Sequence, residues 1–376
     1  MPSSQYQWRG GNSLELYENG PAFFPRMLDR INQAVHSIDL EIYLIERGAN
    51  ERLFMAALRS AAERGVVVRL LVDGLGSKDF LKHNSSDLIR SGIQLKVFNP
   101  MSVLALKQRL HRDHRKILLL DRQELFIGGA GITDQFWNPD QGTFDWREVM
   151  VWAQGPVVGD ALDLFEHQWT GDRRSEINEQ PAGTGPSENS DGYALLSFVS
   201  SDHEGLVKRT NQWVETAQHR LWFITPYFLP RIAACKRLTD AAERGVDVRL
   251  YLPGPNIDHA SVRLAGRSHY DTFLDAGIKI FEGKERFSHA KILLIDQRAS
   301  IGSCNFDFWG LGWNREANLE VQDAHLIRQT EQLIDNYQRQ SHAITRDIWK
   351  QRPPPQRCMT TVAGVISRAI ERCVSG

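Results

Sequence analysis

Apolar residues recur at helical spacing at Phe23, Phe24, Met27, Leu28, Ile31 and Ala34, and the strand-like run Ile38-Asp-Leu-Glu-Ile-Tyr-Leu-Ile45 follows. The pattern predicts a helix over 22–36 leading into a sheet strand. It then predicts a helix over 51–64, a strand over 66–72, a helix near 84–91 and a strand over 93–98. The same order returns at 208–217, 220–225, 232–244, 246–252, 268–276 and 278–282. Alternation of this kind predicts an α/β fold with largely parallel strands.

The recurrence is also one of residues. Ala61-Ala-Glu-Arg-Gly-Val-Val-Val-Arg-Leu-Leu-Val72 returns as Ala241-Ala-Glu-Arg-Gly-Val-Asp-Val-Arg-Leu-Tyr-Leu252, in each case a helix end, a glycine stop and a strand. Gly92-Ile93 is echoed by Gly277-Ile278, and Arg147-Glu148 by Arg315-Glu316. Solenoid repeats have far shorter periods, so the recurrence means duplication of a whole α/β unit. The expected division is a first half over 1–178, a linker over 179–192, a second half over 193–350 and a tail over 351–376. The linker reading rests on proline, glycine and small polar residues without periodicity. The tail follows a break at Pro353-Pro354-Pro355. Its run from Val362 to Val374 has helical spacing and reads either as a helix docked on the body or as an amphipathic membrane-surface helix.

Composition narrows the class. A chain of 376 residues with 41% hydrophobic content can bury two cores. A formal charge of −1 offers no global basic field, so nucleic acid is not an expected partner. The four cysteines, Cys235, Cys304, Cys358 and Cys373, show neither C-x-x-C spacing nor a disulfide framework. The opening Met-Pro-Ser-Ser-Gln-Tyr-Gln-Trp lacks a charged region followed by an apolar stretch, and no segment reaches the ~20 apolar residues that span a bilayer. The expected setting is the cytoplasm, with peripheral contact at the inner face of the cell membrane.

The candidate chemistry lies in two copies of His-x-Lys-x-x-x-x-Asp, at His114/Lys116/Asp121 and His289/Lys291/Asp296, each running into a glycine-containing turn. A phosphodiester resists attack because its oxygens are negative. Its cleavage needs cations on those oxygens, a nucleophile in line and an acid for the leaving alkoxide. One neutral imidazole can attack phosphorus to give a phosphohistidine, while its protonated partner serves the leaving oxygen. Lys116 and Lys291 would hold the developing charge. Histidine and lysine two apart on a strand share a face, so Arg115 and Ala290 point elsewhere. Asp121 and Asp296, at the strand ends, read as supporting groups. Glu148 and Glu316 read as the groups that orient the histidines. His111 and His114 lie three apart around Asp113 but lack a ligand set, so no metal or cofactor is expected. Trp137, Trp309 and Trp313 beyond the motifs read as entrance or packing residues.

The paired motifs, the context Asp113-His-Arg-Lys-Ile-Leu-Leu-Leu-Asp121, Thr225-Pro-Tyr-Phe-Leu-Pro230 and Trp146-Arg-Glu-Val-Met-Val-Trp-Ala-Gln-Gly-Pro156 resemble the phospholipase D superfamily and, within it, the bacterial cardiolipin synthases. The resemblance covers about residues 10 to 345. It implies two phospholipase D-like halves about a pseudo-twofold axis, one active site built from both motifs, no metal, and transfer of a phosphatidyl group between phospholipids. By the same resemblance His114 is the nucleophile and His289 the acid, and Gly129, Ser303 and Asn305 belong to a Gly-Gly/Ser-x-Asn turn after each motif. Two departures stand out. Gly131 occupies the place of the first asparagine, and Glu148 that of an aspartate. Hydrolysis to phosphatidic acid and, in another substrate class, nuclease action remain as alternatives, because water and a lipid hydroxyl compete for one intermediate.

Overall fold

A computed structural model describes residues 7–100, 111–171, 194–200, 205–307 and 314–375. The expected linker at 179–192 lies outside them, as do Trp309 and Trp313.

The first part of the chain forms β1 (Arg9–Glu18), α1 (Gly20–Gln33), β2 (Ser37–Ile42), α2 (Ala49–Glu63), β3 (Val67–Asp73), α3 (Lys78–Arg90) and β4 (Gln94–Phe98). It continues with β5 (Lys116–Leu120), β6 (Glu124–Gly128), β7 (Trp146–Arg147), β8 (Val149–Gln154) and α4 (Val157–Thr170). The second part opens with β9 (Ala194–Ser200), α5 (Gly205–Thr216), β10 (Arg220–Ile224), β11 (Phe228–Leu229), α6 (Ile232–Glu243) and β12 (Asp247–Leu252). There follow α7 (Ala260–Arg267), α8 (Tyr270–Asp275), β13 (Lys279–Gly283), β14 (Phe287–Ser288), β15 (Ile292–Ile295) and β16 (Arg298–Gly302). Last come β17 (Phe306–Asp307), β18 (Ala317–Gln322), α9 (Ala324–Arg339), β19 (Ser341–Ile344), α10 (Arg346–Lys350) and α11 (Pro354–Ser375).

One 15-stranded sheet runs through the molecule in the order β19-β13-β12-β10-β15-β16-β18-β9-β1-β8-β6-β5-β2-β3-β4. Read outward from the β9–β1 seam, the two directions present the same succession of elements, with β19 as an extra edge strand. This is the pseudo-twofold arrangement in topological form. The sheet is mixed, and its parallel pairs are β2–β3, β3–β4, β10–β12 and β12–β13. The inner pairs are antiparallel, so the expectation of largely parallel strands holds only for the outer part of each half. The physical reason is local: β5–β6 and β15–β16 are joined by short turns, and a short turn imposes antiparallel pairing.

Helices cover both faces. Ile117 and Leu119 of β5 face a central core shared with Ile292 and Leu294 of β15 and with α4 and α9, while Leu118 and Leu120 face the outer core under α1 and α2. Leu293 and Ile295 face the matching core under α5, α6 and α8. Burial on both faces explains why these runs are uniformly apolar rather than alternating. The repeated Ala-Ala-Glu-Arg-Gly ends α2 and α6, and Gly65 (φ +88°) and Gly245 (φ +91°) supply the left-handed residue each stop requires.

The tail is helical, as its spacing predicts, and α11 rests on α7. Its packed side is small, with Thr360, Ala363 and Gly364, whereas Met359, Val362, Val365 and Ile366 are each more than half exposed. No helix among the described residues is long and apolar enough to cross a membrane.

Candidate active site

Each histidine is held by the other half of the chain. The His114 N–H donates to the Arg315 carbonyl at 2.9 Å, and its Nδ1 lies 2.9 and 3.0 Å from the two oxygens of Glu316. The His289 N–H donates to the Arg147 carbonyl at 2.8 Å, and its Nδ1 lies 2.8 Å from Glu148 Oε2. The second crossing is a small parallel ribbon of β14 and β7. With Nδ1 facing a carboxylate, the proton belongs on Nδ1, and Nε2 is the nitrogen left for chemistry.

Both lysines are buried beside their histidines. Lys116 Nζ donates to the His114 carbonyl and sits 5.3 Å from the centre of the Tyr43 ring. Lys291 Nζ donates to the His289 carbonyl and lies 2.7 Å from His289 Nδ1, 3.1 Å from its Nε2 and 3.5 Å from Glu148 Oε2. The groups feel one another. Burial pushes His289 well down, and Lys291, Lys116 and His114 push it further. Burial also lowers His114, against the opposing pull of Glu316. Lys116 is pushed down to about 7, by burial first and by Lys291 in addition. Burial raises Glu148 to about 7 against the pull of Lys291 and of the Val149 N–H. The arrangement is a buried pocket in which two neutral-leaning imidazoles and two lysines sit beside two glutamates, and the phosphate of a phosphodiester would favour the charged form of the lysines.

The turns after the motifs differ between halves. Ser303 Oγ donates to Glu316 Oε2 at 2.5 Å. Gly129 holds the matching place beside Glu148, where a Cβ would come within 2.1 Å of Glu148 Oε2. Asn305 is buried in a small cleft that Lys291 also lines, and its Oδ1 has no hydrogen-bond partner. At Gly131 a Cβ would lie 2.9 Å from the Leu44 carbonyl oxygen, so the backbone of Leu44 fills the space an asparagine would need.

Asp121 and Asp296 are not in the pocket. They sit at the far ends of β5 and β15, about 17 Å of strand away from the histidine end in β5. The Asp121 carboxylate accepts the N–H groups of Val35, His36 and Ser37 at 3.0, 2.7 and 2.9 Å. Asp296 takes those of Gln218, His219 and Arg220 at 3.1, 2.8 and 3.2 Å. Partial burial works against ionisation in both, and the backbone donors outweigh it, holding both carboxyls below their usual range. Both lie outside the His–Lys pocket, and they clamp the turn that opens β2 and β10.

Other residues went unread in the sequence. Trp146 stacks on His289 at 5.6 Å between ring centres, and Phe136, Phe287 and Tyr227 complete an aromatic wall at 5.4, 6.0 and 6.1 Å. Tyr43 packs edge-on against His114 at 4.9 Å. A usable signal existed, because Trp146 and Phe287 each lie two residues before Glu148 and His289 and so share their strand face. Trp137 packs on Phe24 at the edge of the first core. Arg115 does point away from Lys116, into a fully buried pair with Glu41 at 3.2 Å.

Comparison with known proteins places this geometry. A family model described as "Cardiolipin synthase, PLD-like domain" matches residues 27–169 and 212–338. Cardiolipin synthase 2 of Bacillus anthracis is 29% identical over 366 residues, covering 93% of this chain and 69% of that protein. Cardiolipin synthase B of Salmonella typhi is 30% identical over 349 residues, covering 88% and 81%. The crystal structure of phosphatidylserine synthase from Haemophilus influenzae Rd KW20 has the same fold, with a TM-score of 0.72 over 98% of this chain and 97% of that one at 13% identity. The matched segments take in most of the chain, and each contains one His-Lys motif and one of the two glutamates. The chain therefore belongs to the cardiolipin synthase, PLD-like domain family.

Proposed function

We propose that the chain transfers a phosphatidyl group from one phospholipid, phosphatidylglycerol first among donors, to a hydroxyl of another through a phosphohistidine. The observation that carries this reading is the crossed pair of His–Glu contacts around two buried lysines. The donor phosphate would settle between Lys116 and Lys291, and its charge would favour the protonated lysines. His114 Nε2 attacks phosphorus, and the proton on His289 passes to the departing glycerol oxygen, so the P–O bond breaks as the P–N bond forms. His114 is the better-held ring, gripped by both oxygens of Glu316, which Ser303 steadies in turn. The positive charge that phosphorylation leaves on that ring is balanced by Glu316. Burial, with Lys291 close by, makes the His289 imidazolium a strong acid once the phosphate is in place. Neutral His289 then takes the proton of the incoming lipid hydroxyl, whose oxygen displaces His114 from phosphorus.

The aromatic wall around His289 limits water at the acceptor side and supports transfer over hydrolysis. The two halves, 1–178 and 193–350, contribute one histidine and one glutamate each, so both are needed. Attachment is peripheral, at the inner face of the membrane, with the exposed apolar side of α11 as the contact.

The deciding experiment is product analysis by mass spectrometry after incubating the wild type and a His114→Ala/His289→Ala variant with phosphatidylglycerol, with and without phosphatidylethanolamine. A diphosphatidyl lipid formed by the wild type alone is the expected result. Phosphatidic acid as sole product would make the chain a hydrolase, and no lipid product would overturn the reading.

A further inference from the structure

A cavity of about 300 Å3 opens behind the ribbon that carries His289 and Glu148. Strand alternation turns Trp146 and Phe287 toward the histidine and leaves Arg147 and Ser288 on the reverse side, where both line the cavity. Its floor is the carboxyl ends of β10, β12 and β13, the place where open α/β sheets take ligands. Four cations line it, Arg147, Lys284, Arg286 and Arg339, against the single carboxylate of Glu285. None of the four is in an ion pair among the described residues.

Arg147 Nε is buried there without a hydrogen-bond partner, and Ser288 Oγ and Tyr337 Oη, the latter on a residue only 5% exposed, face one another beside it. Buried polar groups are normally satisfied, so an unpartnered guanidinium nitrogen beside two hydroxyls, at a cavity lined by four cations, points to a ligand. The corresponding place in the first half is lined differently. There Asp113 precedes His114 as Ser288 precedes His289, and Asp113 pairs through its backbone with Arg315 as Ser288 pairs with Arg147. Arg315 also donates to Gln168 and covers the Phe98 ring.

We propose that this cavity is a second anion site, which takes a phosphate group carried on a small polyol. The phosphate oxygens meet Arg147, Lys284 and Arg286, and a hydroxyl meets Ser288 and Tyr337. Such a group occurs on a soluble phosphate ester and on an anionic phospholipid headgroup alike. The inference does not depend on the transfer reading, because the site lies across the ribbon from both histidines.

The test is titration calorimetry of the full chain with inorganic phosphate and with glycerol 3-phosphate, paired with sedimentation on phosphatidylglycerol vesicles and on neutral phosphatidylcholine vesicles. Glycerol 3-phosphate is expected to bind the wild type and the His114→Ala/His289→Ala variant alike. Lys284→Gln/Arg286→Gln, on the surface and remote from the cores, should weaken it about tenfold or more. Tyr337→Phe, which keeps the ring, should weaken it as well. Vesicle binding sensitive to Lys284→Gln/Arg286→Gln, without binding of the soluble probes, would name the lipid headgroup as the source. Binding that no cavity substitution changes, or that disappears only with Lys116 and Lys291, would overturn the proposal.

Discussion

Glu316 grips the imidazole of His114 through both carboxylate oxygens, although 202 positions separate the two residues in the chain. Glu148 does the same service for His289 through one oxygen. The crossing means that a substitution in one half is felt at the histidine of the other, and this can be read in kinetics.

Glu148→Gln and Glu316→Gln should each reduce kcat by about 10²–10⁴-fold, the usual scale for an acid–base contribution. The two should differ with a donor whose leaving group needs no proton. A p-nitrophenyl phosphodiester is expected to restore the first-turnover burst of p-nitrophenol to Glu148→Gln and His289→Ala, whose second step still lacks its base, and none to Glu316→Gln or His114→Ala. The reverse pattern would make His289 the nucleophile.

Anion binding at the histidines should take up protons at pH 8. Lys116, held down to about 7, is then mostly neutral in the free pocket, and a bound oxyanion favours its ammonium form. Calorimetry with tungstate in buffers of different ionisation enthalpy reads the uptake directly, in the Lys284→Gln/Arg286→Gln background. The uptake should shrink as pH falls below 7, where the lysine already carries its proton, and release of protons at pH 8 would refute the assignment. The same depression costs the fold stability below pH 7, and that cost is relieved as pH rises from 7 toward 10.5, where only the unfolded lysine still holds a proton.

Asp121→Ala and Asp296→Ala are expected to lower the Tm and to leave kcat per folded molecule near wild type. Each loses a carboxylate that serves three backbone donors, for about 1–3 kcal/mol. Because both carboxyls titrate below their ordinary value, the wild-type advantage should be full above pH 4 and fade as pH falls through the folded-state values. A collapse of kcat with an unchanged Tm would return them to the catalytic set.

Gly129→Ala should cut activity by about tenfold or more, because the added carbon displaces the Glu148 carboxylate from His289. Gly131→Asn should instead lower the Tm, by about 1–3 kcal/mol of overpacking against Leu44, without a gain in rate. Thermal melts beside steady-state rates separate the two effects.

Much of this was legible beforehand. The histidines and lysines came from a repeated pattern, and the helices and outer strands from periodicity reinforced by the Ala-Ala-Glu-Arg-Gly stop. The antiparallel interior was not legible, because uniformly apolar runs such as Ile117–Leu120 are silent about the direction of their neighbours. Which groups the aspartates hold was hidden for a related reason. A motif read as one string suggests one site, yet a strand of five residues carries its two ends far apart. The crossed pairing could not be read at all, since nothing local to Glu316 says that its partner lies at His114 rather than His289.

That crossing also sets an order of events. A ribosome that has completed residues 1–178 has made His114 and Glu148, and neither has its partner. Glu148 waits for His289, and His114 waits until position 316 has left the exit tunnel. The nascent chain thus carries a histidine and a glutamate of the site without the means to use them, and the site is complete only when the second half folds against the first.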